Sequence, residues 1–174
     1  MTTTSLVPQI IDYLVAQAQA STVLGADLPD PVIVLDGPEI TGDTLAESRH
    51  LWIGGLPSAT ATEAVTASAD QDFAFSDRGR TRNETGDIMC AADAWGGSTV
   101  LKTHRDACHA IVSAVELLLR GDPVSGGPGD YTMGDLVLWS QVAGPYEWTP
   151  RQTQDGAGML CIFKITYEGR LVTT

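Results

Sequence analysis

Basic residues are scarce in this sequence. Ten stand against 22 acids, and only two of the ten are lysine, for a formal net charge of −12. That balance argues against an affinity for free nucleic acid driven by phosphate neutralisation. It suits a surface that repels DNA, such as the wall of a conduit. Cysteine is scarce as well. Cys90, Cys108 and Cys161 cannot all pair, and none belongs to a CxxC motif. Two fall in expected strands and one in an expected helix core, which reads as buried thiols in a reducing compartment rather than a disulfide or metal site. No stretch approaches the roughly 18 apolar residues of a membrane span. Met1 to Ser5 carries no basic region before Leu6, so no secretory signal is expected and synthesis is expected in the cytoplasm. Charged residues make up only 18% of the chain, and Ala, Gly and uncharged polar residues fill the difference. Such a composition fits a protein whose surface is partly occupied by partners.

Reactive signatures are missing too. There is no GxSxG elbow, P-loop, HExxH or dinucleotide fingerprint. Asp87 and Asp93 share a strand face, with Asp70, Asp72 and Asp77 nearby. Paired carboxylates do acid–base work when buried and forced apart in pKa; in these polar surroundings they read as solvated charge. His104 and Cys108 are four apart on a helix, but His109 lies about 100° round from Cys108, so the three do not converge on a metal. They read as a core thiol flanked by helix-surface histidines. The residues therefore give no catalytic, cofactor or metal site, and an enzyme is not expected.

What the sequence does contain is organised around residues 82–120. Glu84, Gly86, Ile88, Cys90, Ala92 and Ala94 alternate with Thr85, Asp87, Met89, Ala91, Asp93 and Trp95, the pattern of a strand with a small apolar ledge on one face. Gly96-Gly97 ends it, and Ser98 or Thr99 is placed to cap a helix. In that helix Val100, Leu101, Ala107, Cys108, Ile111, Val112, Val115, Leu118 and Leu119 recur at three- and four-residue spacing, with Gly121 as the stop and Pro123 beyond. Small residues on the ledge would let the helix lie close to the sheet.

Around this unit, residues 6–20 predict a first helix with Ser5 as cap, and Val32 to Leu35 a short strand covered on both faces. Leu51 to Gly54 predicts another strand. Pro57 to Asp72 reads as an excursion between strands, and Asp122 to Asp135 as a second surface loop. Leu136 to Val142 is a strand interrupted at Ala143-Gly144-Pro145, with Tyr146 to Pro150 continuing the edge. Gln154 to Ala157 is a hairpin turn, and Met159 to Tyr167 a last strand. At 174 residues the chain fits one domain, residues 1–174. Its expected fold is α+β: a mostly antiparallel sheet with one long helix packed on it and an N-terminal helix.

Two groups are candidates for contacts. Arg78, Arg80 and Arg82 occupy alternate positions, so an extended chain projects them on one side as a basic comb. They either pair with Asp72, Asp77 and Glu84 of the same chain or meet an acidic surface on a neighbour, where bidentate arginine contacts select geometry. Core packing explains Trp52 and Trp139. Trp95 and Trp148, beside Gly- and Pro-rich turns, serve equally as core residues or as interface anchors.

The run Gln71 to Phe75, the Arg-containing turn and Arg82-Asn83-Glu84-Thr85-Gly86-Asp87-Ile88-Met89-Cys90 together resemble the central strand of tail terminator proteins from long-tailed phages of actinobacteria. In that family an Arg-x-Glu-x-x-x-Ile-x-Cys-like strand precedes a Trp-x-Gly turn, here Trp95-Gly96-Gly97. A helix like that from Arg105 to Arg120, then Asp122-Pro123, a closing Gln154 to Ala157 turn and an alternating last strand follow. The resemblance runs from about Val32 onward, and the order and spacing of weak motifs carry it. It implies a structural virion component of the tail and head–tail neck, assembled in the host cytoplasm. Subunits of this type form a homo-hexameric ring on the tail tube, halt its polymerisation and present a surface to head-completion (connector stopper) proteins. Genomic DNA would only pass through the lumen. Under that resemblance, residues 57–77 and 122–135 are candidate contacts with the major tail tube protein, the neck or neighbouring subunits. A head-side connector stopper or adaptor, and a small soluble enzyme or ligand-binding protein with a pocket under the main helix, are the rival readings.

Overall fold

A computed structural model describes residues 4–24, 31–37, 48–56, 67–76, 79–121 and 129–172. Its elements, in order, are α1 (Val7–Ala20), β1 (Val32–Asp36), β2 (Ser48–Ile53), β3 (Ala67–Ser76), β4 (Gly79–Gly96), α2 (Leu101–Arg120), β5 (Trp139–Thr153) and β6 (Gly156–Val172). The fold is α+β, with two helices and a mostly antiparallel six-stranded sheet in the order β1-β2-β4-β6-β5. Among the described strands only β1 and β2 run parallel. The 18-residue β4 is the spine. Its first half pairs with β3 and its second half with β2 along one edge, while β6 runs beside it from Thr81 to Gly96 along the other.

Both helices pack on one face of this sheet. The ledge Ile88, Cys90, Ala92 and Ala94 is fully buried there, with Cys161, Phe163 and Ile165 of β6 and Leu51 and Ile53 of β2. Cys108, Ile111, Val115 and Leu119 of α2 complete the cluster. Each large aliphatic side chain buried this way contributes roughly 1.5–3 kcal/mol. The small ledge residues permit the close approach expected of them: Cys108 Sγ lies 3.3 Å from the Ala92 carbonyl oxygen. All three cysteines are free and buried. Burial pushes the Cys90 and Cys108 thiols up to about 12 and Cys161 to about 11, so they stay protonated and poorly nucleophilic at neutral pH.

Several local expectations give way to longer-range ones. Ser5 accepts the Val7 N–H at 3.2 Å, but the Leu6 N–H at the mouth of α1 goes to Glu84 Oε1 of β4 at 2.8 Å. Neither Ser98 nor Thr99 caps α2, whose N-cap is Val100; Ser98 Oγ accepts the Val100 N–H before the helix starts. Strand β1 is an edge strand open on one face. Val32 and Val34 are buried, whereas Ile33 points outward. Residues 67–72, read from sequence as part of an excursion, belong to β3, a regular antiparallel partner of β4; residues 57–66 lie outside the described residues. Gly86 is where β3 and β6 press in on β4. A Cβ there would stand 2.4 Å from the Ser68 carbonyl oxygen and 2.8 Å from the Tyr167 hydroxyl, so only glycine fits. Ala143-Gly144-Pro145 does not end β5. It makes a register shift between Ala143 and Glu147, with a cis Gly144–Pro145 bond, and the strand resumes to Thr153.

Of the loop expected at 122–135, residues 122–128 lie outside the described residues and the remainder is a pinned turn. Asp130 accepts from the Thr132 N–H, Thr132 Oγ1, the Gly134 N–H and, at 2.7 Å, Tyr13 OH of α1. Those bonds, with the full burial of Met133, hold Met133, Gly134 and Asp135 all at positive φ. For the two non-glycine residues that conformation costs roughly 1–2 kcal/mol each.

Candidate interaction surfaces

Of the sites singled out from the sequence, the described side chains Arg82, Trp95 and Trp148 have separate surroundings. Arg78 and the side chain of Arg80 lie outside the described residues. Arg82 is half-buried and donates to Gln71 Oε1 of its own chain at 2.9 Å, so an intrachain role holds for that member of the comb. That bond goes to an amide, and Arg82 is engaged in further interactions besides it. Among the tryptophans, Trp52 is buried as expected, but Trp139 is 37% exposed at the sheet edge, its Nε1 donating to Glu168. Trp95 is half-buried with the Arg151 guanidinium over its ring, 5.8 Å from the centroid. Trp148 is exposed and stacks on His109 of α2, with ring centroids 6.1 Å apart.

The histidines separate. His104 is buried, not a surface residue, with Nε2 lying 2.9 Å from the Ser98 carbonyl oxygen, so it ties the helix start to the turn before it. His109 faces outward. No group of three or more His, Cys, Asp or Glu side chains placed to hold a metal exists among the described residues.

Asp87 and Asp93 share the face of the sheet opposite the helices, as their spacing requires, but neither is simply solvated. Asp87 pairs with Lys164 at 2.6 Å and accepts from Thr166 Oγ1 at 2.7 Å. Burial pushes its carboxyl up, and the bonds from Lys164 and Thr166 outweigh that and hold it below the usual carboxylate value. Asp93 is buried and bonded to Arg151 of β5. Opposite Asp93 in the ladder stands His50 of β2, stacked on Trp52 at 5.0 Å. Nothing in the local sequence groups His50, Asp93 and Arg151. Only the pairing of β2, β4, β6 and β5 brings them together.

This cluster makes folding pH-dependent. Burial lowers the His50 pKa below the ordinary histidine value; Asp93 pulls it up and Arg151 pushes it down. The unfolded chain therefore takes up this proton first, and the stability contributed by neutral His50 is lost as pH falls below about 6.5. Asp87 and Asp130, both held below the usual carboxylate value, act with the same sign at lower pH. Melting temperature should fall in two steps on acidification, one beginning near pH 6.5 and one below about pH 4. His50→Phe should remove the first step and leave the second; a two-step profile in that variant would exclude His50 as its source.

A groove of about 590 Å³ lies between the outer side of α2 and β5. Arg105, Asp106, His109 and Glu116 contribute from the helix, and Tyr146 and Trp148 from the strand. It lies beside α2 rather than under it. Tyr146 titrates above its ordinary value because of burial and the nearby Glu116. The signal for this surface was present in the sequence as Tyr146 and Trp148 at alternate strand positions.

No helix among the described residues is long and apolar enough to cross a membrane. Compared with known proteins, the chain matches no family model and no curated protein.

Proposed function

We propose that this chain is a structural, non-enzymatic subunit of a phage tail, a tail terminator. It forms a ring, hexameric by analogy with the proteins it resembles, that caps the tail tube, stops its polymerisation and joins it to the head-completion proteins. What carries the reading is residues 82–121. The weak motifs there fold as one continuous unit, strand β4, a Gly-Gly turn, α2 and the Gly121 stop, at the centre of the sheet. A net charge of −12 suits such a ring, since an acidic lumen would let DNA slide without sticking. Large apolar side chains left exposed along β5 suit a protein that meets others.

Mixing the purified chain with major tail tube protein tests this. Negative-stain images should show rings alone and tubes of arrested length with a ring at one end. A chain that stays monomeric both alone and beside tube protein would overturn the reading. Binding to capsid-side rings without affinity for tube would make it a connector stopper or adaptor. A ligand-binding role is the second reading, favoured by the α2–β5 groove; thermal stabilisation by a small molecule that Trp148→Ala abolishes would establish it.

Arg80→Glu should leave the monomer's melting curve unchanged and reduce tube capping. Arg82→Glu would act on the fold as well, because Arg82 bonds Gln71, which in turn bonds the buried Glu84. Unaltered capping by Arg80→Glu would remove the comb from the interface.

A further inference from the structure

Four adjacent strands meet in one cluster on the face of the sheet away from the helices. His50 of β2 stands opposite Asp93 of β4, Trp95 of β4 opposite Gly158 of β6, and Gly158 opposite Arg151 of β5. Gly158 is what lets Arg151 across. A Cβ there would stand 2.5 Å from the Trp95 ring; without one, the ring fits, and the Arg151 guanidinium lies over it and bonds Asp93. The Asp93 carboxylate thus sits between a cation from one neighbour and a histidine from the other.

The charged groups that act on His50 among the described residues are these two. Asp93 favours its protonated form and Arg151 opposes it. The other elements packed around it bring no charge to this point. Ile33 of β1 stands opposite His50, Leu160 of β6 opposite Asp93, and Trp52 stacks on the His50 ring. Arg49 alternates to the other face, and Lys164, farther along β6, is held by Asp87.

The outer arm of β5 leans on this contact. From Gly144 to Thr153 every residue is exposed. Past the register shift at Ala143/Glu147, the arm is tied by its ladder to β6, by Trp148 stacked on His109 and by Arg151.

We propose that Asp93 is a proton-controlled latch on the outer arm of β5: neutral His50 leaves the carboxylate to Arg151, and protonated His50 takes it and releases Arg151 to water. The two cations repel each other, and burial decides which one leaves. His50 is 6% exposed and, once charged, has to keep a counter-charge. The Arg151 side chain is 44% exposed and has solvent as its alternative. Because burial holds His50 neutral at ordinary histidine pH, the exchange belongs below about pH 6.5. The latch is independent of the tail role proposed above.

Hydrogen exchange on the full chain at about pH 8 and about pH 5, corrected for the intrinsic rate, tests this; at the lower value carboxylates are still ionised. Amides between Thr149 and Thr153 should lose roughly tenfold or more of their protection at the lower pH, while those from Met89 to Asp93 keep theirs. His50→Phe should abolish the loss, and Arg151→Met should show it already at the higher pH. By reciprocity, Arg151→Met should also raise the midpoint at which the His50 ring titrates by NMR. Should either variant fail to fold, the wild type decides: its Arg151 Nε–H resonance should move with the same midpoint as the His50 ring. Loss spread equally through β4, a pH-dependent loss that survives in His50→Phe, full protection in Arg151→Met, a His50 midpoint that does not rise in it, or different midpoints for the two wild-type resonances would each overturn the latch. Persistence of the loss in His50→Phe would pass the effect to His109 at the Trp148 tie.

Discussion

Replacing Glu84 with alanine should lower the unfolding free energy by roughly 3–5 kcal/mol, because it strands several buried donors at once. Glu84 is fully buried. Its Oε1 accepts from the Leu6 N–H at 2.8 Å, Ser5 Oγ at 3.0 Å and Tyr167 OH at 2.8 Å, and its Oε2 accepts from Gln71 Nε2. One carboxylate therefore joins the first turn of α1 to β3, β4 and β6. It also places negative charge at a helix N-terminus that has no acidic residue of its own. The Tyr167 hydroxyl is correspondingly held in its protonated, donating form, its pKa raised by burial and by Glu84. Tyr167→Phe removes a single donor and should cost only about 1 kcal/mol. The two can be compared by denaturant unfolding. Hydrogen exchange should locate the Glu84→Ala damage in the amides of α1 before those of α2. Uniform loss of protection, or a cost no larger than that of Tyr167→Phe, would mean α1 is held by its apolar stripe alone.

That hub explains why some of the architecture was legible in the sequence and some was not. Strands β4 and β6 and helix α2 announce themselves because their periodicity is local: alternation from Glu84 to Trp95 and from Met159 to Tyr167, and the 3.6-residue stripe from Cys108 to Leu119. Strand β3 does not, since Ala67-Ser68-Ala69-Asp70 is a poor strand former by composition and owes its conformation to the β4 ladder beside it. The cap of α1 escapes a local reading for a related reason. Ser5 is a sound local choice, but Leu6 meets a carboxylate 78 residues away. Burial of His104 follows from the Ser98 carbonyl folding back over the helix start, a contact no helical periodicity encodes. Trp139 fails the other way: its alternation is strand-like, yet β5 stands at the edge of the sheet, where among the described strands β6 alone pairs with it. For the candidate surfaces the same rule holds. Residue types were readable, but the grouping of His50, Asp93 and Arg151 needed the strand order.

Ile111→Asp should abolish the cooperative unfolding transition. Ile111 is 2% exposed on the sheet-facing side of α2, within the cluster that includes Cys90, Cys108, Val115 and Phe163. A carboxylate there loses its hydration without gaining a partner, or takes up a proton at the expense of a strongly raised pKa. Either route costs more than about 4 kcal/mol, comparable with the whole stability of a domain of this size. Ile111→Val should cost only about 0.5–1.5 kcal/mol, because it deletes one methylene and leaves the contact apolar. Leu117→Asp, on the exposed side of the same helix, should stay within about 0.5 kcal/mol of wild type, which separates burial from any intolerance of α2 to acid. Circular dichroism melts and the soluble yield of the three variants read this out directly. An Ile111→Asp chain that melts cooperatively near the wild-type temperature would mean the sheet stands without α2 against it. In that case the small residues of the β4 ledge, Ala92 and Ala94, would have no packing reason to be small.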